Sequence, residues 1–133
     1  MFLVHLTPIE RTAFVGLAKH LVAADGREGP AETEALRLLE RELGTPVADI
    51  PAVEPSSEVL ATFVSTASKA ALVLELLTLA YADGLPHPDE MEMLKVVASG
   101  VGISELKLLE MEDWVVQQIP LTAKANAFLT EVE

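Results

Sequence analysis

Four carboxylates stand at a spacing that could do chemistry. Asp25 is followed by Gly26 and, seven residues after the Asp, by Glu32; 58 residues further on, Asp83, Gly84 and Glu90 repeat the pattern without a gap. Asp-Gly with a Glu at that distance is the second half of an EF-hand calcium loop, where glycine makes the sharp turn and glutamate closes the coordination shell. The first half fails, because the two leading ligand positions would be Leu21 and Ala23 in one copy and Leu79 and Tyr81 in the other. Calcium takes roughly six to eight oxygens, so a single loop is inadequate. Facing each other, Asp25, Glu32, Asp83 and Glu90 would supply four carboxylates and, with water, a site for a hard divalent cation, calcium or magnesium rather than zinc. A structural reading of the same residues stays open. Glu32 and Glu90 fall about three residues into helices, where a carboxylate can accept the N-cap N–H and oppose the helix dipole, each effect contributing ~0.3–1 kcal/mol.

The elements that must position these groups follow from the pattern. Thr7-Pro8-Ile9-Glu10 predicts a helix start with a capping box, and Ile9, Ala13, Leu17, Leu21 and Ala24 then share a face that Phe14, Ala18 and Val22 widen. This helix is expected to stop near Asp25-Gly26, and a second to run from Pro30, with Leu36, Leu39 and Leu43 inward, to Gly44. Pro46, Pro51 and Pro55 interrupt the connector that follows. Ser56 or Ser57 caps a third helix with Val59, Leu60, Phe63, Val64 and Ala67 on its apolar side; the fourth, near Lys69 to Ala82, and the fifth, Pro88 to about Ser99, copy the first two. A sixth is expected from Ser104-Glu105 to Ile119, before Pro120, and a short seventh from Thr122 past Phe128 and Leu129. Gly26 and Gly84 are the expected backbone switches out of the first and fourth helices.

Over Ala13 to Gly44, 11 of 32 residues are identical in the copy from Ala71 to Gly102, which marks an internal duplication. The predicted fold is therefore all-α, a bundle of about seven helices in one domain. Repeat one covers about 8–48, repeat two about 66–106, and the C-terminal helices fill 105–133.

Composition excludes several functions. The chain has no cysteine, which removes disulfides, thiol nucleophiles and iron–sulfur ligation. A net charge of -12 repels phosphate backbones and anionic headgroups, so neither nucleic acid nor direct membrane insertion is expected. The apolar run Ala70 to Ala82 contains Glu75 and is too short to span a bilayer, and Met1 to Leu6 has no basic n-region of the kind a signal peptide carries. No nucleophile elbow or glycine-rich phosphate loop is present, so an enzyme is not expected; a small carboxylate-dependent activity is the third choice. Trp114 and Tyr81 read as packing residues in a core or an interface.

The stretches Leu21 to Gly26 through Glu32, and Leu77 to Gly84 through Glu90 with Leu94, Val97 and Gly102-Ile103-Ser104, resemble the tellurite-resistance TerB family and the related amino-terminal domain of DjlA-type co-chaperones. The resemblance spans roughly Pro8 to Trp114. It implies a cytoplasmic, pseudo-symmetric helical domain of stress-response assemblies, with Asp25, Glu32, Asp83 and Glu90 as the matching metal-site positions. The sequence departs from the family at the second-helix cap, which is Gly29 and His87 in place of the usual Ser or Thr, and at Gly44-Thr45-Pro46 in place of Gly-Ile-Ser. His87-Pro88-Asp89 spells the J-domain tripeptide, but it sits inside the acidic repeat and its counterpart is Gly29-Pro30-Ala31, so no co-chaperone activity is read from it. The alternative to a cation-binding module is a protein-interaction or homodimerisation domain whose loops are only structural caps. A chain that is half apolar and this small has surplus surface to cover, so a protein partner or a second copy is expected.

Overall fold

The computed structural model describes residues 2–24, 30–44, 47–82 and 84–131, without the side chains of 30–32, 35, 47 and 131. Among the described residues every element is helical: α1 Pro8–Val22, α2 Pro30–Leu43, α3 Ser57–Leu60, α4 Thr66–Ala80, α5 Pro88–Gly100 and α6 Glu105–Glu131. None is both long and apolar enough to cross a membrane. The duplication is visible in the element bounds. A shift of 58 residues carries α1 onto α4 end to end and the start of α2 onto that of α5. It also carries the Thr7/Glu10 capping box onto Ser65/Ser68, and Gly44 onto Gly102. Both of those glycines have positive φ, 69° and 83°, which closes α2 and α5 without the steric cost a side chain would bring.

α4 is the centre of the bundle. Its sequence is apolar nearly all round, so it buries Ala71, Leu72, Val73, Leu76, Leu77, Leu79 and Ala80 and is packed by α1, α5, α6 and a short N-terminal helical turn, Leu3–His5. α1 contributes Phe14, Val15, Leu17, Leu21 and Val22 to the same core, and α5 contributes Leu94, Val97 and Ala98. Two further contacts repeat the symmetry: α1 meets α5 as α2 meets α4.

Several expectations are corrected. α6 does not end before Pro120; it runs unbroken to Glu131, so the sixth and seventh predicted helices are one. Proline removes the ladder bond to the Val116 carbonyl and its ring crowds that carbonyl, but Val116 lies on the exposed side of the helix, where water can take the freed acceptor. The third helix is one turn, Ser57–Leu60, and its chain leaves the helix before Phe63 is buried; Val64 and Ala67 face solvent, and α4 begins earlier than expected, at Thr66. Ile9 is also exposed, because at the second position of α1 it precedes the turn that reaches the core.

The proline-rich connector is strapped to α1. Val53 N–H donates to the Gly16 carbonyl at 3.0 Å, and Lys19 Nζ donates to the Ile50 carbonyl at 2.6 Å. A Cβ on Gly16 would stand 3.0 Å from the Pro51 carbonyl oxygen and 2.8 Å from Val53 Cγ2, so the close approach requires glycine there.

Candidate functional site

Asp25, Gly26 and Asp83 lie outside the described residues, as does the side chain of Glu32; Glu90 and Gly84 are described. Gly84 has φ 108°, the positive backbone angle predicted for the turn out of α4. Pro88 then fixes the first residue of α5, and His87 before it is extended, with φ -65° and ψ 147°. The His87 Nδ1 accepts the Asp89 N–H at 3.1 Å, and the Glu90 Oε1 accepts the His87 N–H at 2.9 Å. His87 therefore fills the role that Ser or Thr usually holds, and Glu90 completes the box.

The capping accounts for one oxygen of Glu90. The residue is 4% exposed, and its Oε2 has no hydrogen-bond partner among the described residues. Leaving a buried acceptor unpaired costs ~1–3 kcal/mol, more for a charged one, so this oxygen calls for a donor or a cation. Among the described residues no three His, Asp or Glu side chains lie at metal-binding separation.

Glu10 has the corresponding place in α1 and a different environment. Its Oε1 accepts the Thr7 N–H at 2.9 Å, and its Oε2 accepts the Val64 N–H, 54 residues away, at 3.0 Å. Burial alone would raise its pKa, but the N–H donors of Thr7 and Val64, with the hydroxyls of Ser68 and Thr7, outweigh burial and hold the carboxyl below its ordinary value. Glu10 thus joins the N-terminal ends of the two equivalent helices, α1 and α4. The sequence marked it only as a cap, and nothing local signals a bond to a residue so far along the chain.

Tyr81, at the end of α4, is half-buried; burial first and then the nearby Glu112 carboxylate of α6 raise the pKa of its phenol. This side chain, which falls at a ligand position of the EF-hand pattern, packs against the core and faces α6. Beside it a cavity of about 500 Å³ opens between α2, α4 and α6, lined by Leu38, Leu39, Glu75, Leu79 and Ile119, with Trp114 at 38% exposure. Trp114 meets Phe2 edge-on, ring centroids 5.7 Å apart, in the packing role predicted for it.

Beyond this cavity the second half of α6 carries exposed Leu121, Phe128 and Leu129. Sequence reasoning placed Phe128 and Leu129 on a helix but did not single out their surface; the seven-residue spacing of Trp114, Leu121 and Phe128 is the signal that could have found it. No family model, no curated protein and no solved structure matches this chain.

Proposed function

We propose that this chain is a non-enzymatic, cytoplasmic TerB-like module that holds a divalent cation at its Asp-Gly/Glu loops and serves a stress response, to tellurite or to other chemical stress. The observation that carries the cation reading is Glu90 Oε2, a carboxylate oxygen that is buried and without a partner among the described residues, on the glutamate seven residues after the second Asp of the repeat. Glu90 would hold the ion through that oxygen while its other oxygen keeps the helix cap; Asp83, Asp25 and Glu32 are the remaining ligands of the proposal. An all-oxygen set favours calcium or magnesium over zinc. The ion would be structural, fixing the loops that precede α2 and α5.

Calorimetric titration with calcium, magnesium, manganese and zinc tests this. Saturable binding of calcium or magnesium is expected, with loss in Glu90→Gln and in the double variant Asp25→Asn with Asp83→Asn. No binding up to ~1 mM, a regime of about -4 kcal/mol, or binding untouched by these substitutions, would sink the proposal. A backbone donor on Glu90 Oε2 would give that null result.

A second reading, self-association or docking to a protein partner, is favoured by a separate observation: the apolar side chains exposed on the second half of α6.

A further inference from the structure

The second half of α6 is unlike the rest of the molecule in charge as well as in hydropathy. From Trp114 to Thr130 the only charged residue is Lys124, in a chain whose net charge is -12. Within this stretch Leu121 is 57% exposed and Phe128 is 60% exposed, although both are large and apolar. Trp114, Leu121 and Phe128 are seven residues apart, two helical turns less about 20°, so they form one stripe along the helix. Gln118 and Ala125 fall between them at heptad spacing, the pattern of a helix seam.

We propose that this stripe is the contact surface for a second copy of the chain, packed antiparallel about a two-fold axis that passes at Leu121. The stripe is symmetric about that residue, with Trp114 seven positions before and Phe128 seven after. A two-fold there sets Leu121 against Leu121 and each Phe128 against the Trp114 of the other copy, an isologous contact that closes. Trp114 stands on the rim of the cavity between α2, α4 and α6, flanked by exposed Leu38, so the arriving phenyl ring meets an apolar receptacle. Charge selects the occupant. Two copies at -12 each repel over most of their surfaces, and this is a stretch where they meet without setting carboxylate against carboxylate. A basic partner would be drawn to the acidic surfaces and would gain no such attraction here. The surface deepens the self-association reading and is independent of the cation reading.

The test is the mass in solution of the full chain, by sedimentation and light scattering. The wild type is expected near twice 14.3 kDa. Leu121→Asp and Phe128→Asp, at exposed positions that leave the core intact, are expected to weaken association about 30-fold or more, the scale of losing an interface anchor. Because the protein has no cysteine, Leu121→Cys is a clean reporter. Under a mild oxidant it should form a disulfide-linked dimer, whereas Val116→Cys, also exposed but about 140° around the helix, should not. A dimer that persists in both Asp variants, or equal cross-linking at Val116→Cys, would overturn the surface while leaving self-association standing. A wild type that stays monomeric up to ~1 mM would overturn both.

Discussion

Glu10 and Glu90 are the same residue in the same local motif. Each stands three places after its N-cap, two after a proline, and each accepts the N–H of that N-cap at 2.9 Å. Both are almost wholly buried, 3% and 4% exposed. They differ in the second oxygen. That of Glu10 takes the Val64 N–H and so ties α1 to the start of α4, whereas that of Glu90 has no partner among the described residues. A capping box determines only half of a glutamate; what packs over the helix end determines whether the other half becomes architecture or remains available to a ligand.

Truncating the two residues should separate these roles, and the largest effect is expected at Glu10. Glu10→Ala removes a charged acceptor from two backbone donors in different elements and should destabilise the fold by about 3 kcal/mol, a fall in Tm of ~10 °C. Glu90→Ala, measured in a chelator, loses one cap bond and also relieves an unpaired oxygen, so about 1 kcal/mol or less is expected. Equal losses in chelator would mean that Glu90 Oε2 has a protein donor after all and that the two glutamates do not differ in role.

The acid limb of stability sharpens the same contrast. The pKa of Glu10 is held below its ordinary value of 4.5 in the folded protein. Its contribution is therefore complete above that value, the unfolded reference, and is lost as pH falls through the lower folded value. Chemical denaturation as a function of pH should show stability declining below about pH 4.5, with part of that decline absent in Glu10→Gln. An unchanged pH profile in Glu10→Gln would remove Glu10 from the acid response.

Much of this was legible in the sequence wherever the determinants were local. The capping box at Thr7, the start of α5 at Pro88 and the positive φ of Gly84 each depend on a few neighbouring residues, and each is where the pattern placed it; of the two serines offered as the next cap, Ser56 is the one used. The all-α fold followed from helical periodicity repeated in two registers. The misreadings come from tertiary context. Pro120 is a local stop signal, yet α6 continues through it: the lost bond and the ring's crowding of the Val116 carbonyl cost about 3 kcal/mol, and the helical residues on both sides outweigh that. The apolar side chain of Val64 predicts a core position, but its backbone N–H is what matters, bound by Glu10 from another helix while the side chain faces water. Of the candidate site, the helix-capping place of Glu90 was legible; its burial, and that one of its oxygens is left over, were not, because both depend on what lies above the helix end.

The smallest expected effect concerns the caps themselves. Thr7 caps α1 with a hydroxyl that accepts the Glu10 N–H at 3.2 Å, while His87 caps α5 with an imidazole nitrogen that accepts the Asp89 N–H, one position earlier. Hydroxyl and carboxamide side chains are preferred at this position because a short side chain reaches the second or third N–H without straining the extended N-cap backbone. Imidazole achieves the bond only in the form whose Nδ1 carries no proton. His87→Thr, which reproduces the first repeat's cap in the second, should therefore stabilise the protein by ~0.5 kcal/mol in thermal unfolding at neutral pH. Cation affinity should be unchanged, since the Glu90 carboxylate would still accept the N-cap N–H through the same oxygen. Loss of stability in His87→Thr would show that the imidazole does more than cap. Loss of cation binding with stability retained would place His87 among the ligands and make the second loop unlike the first in kind.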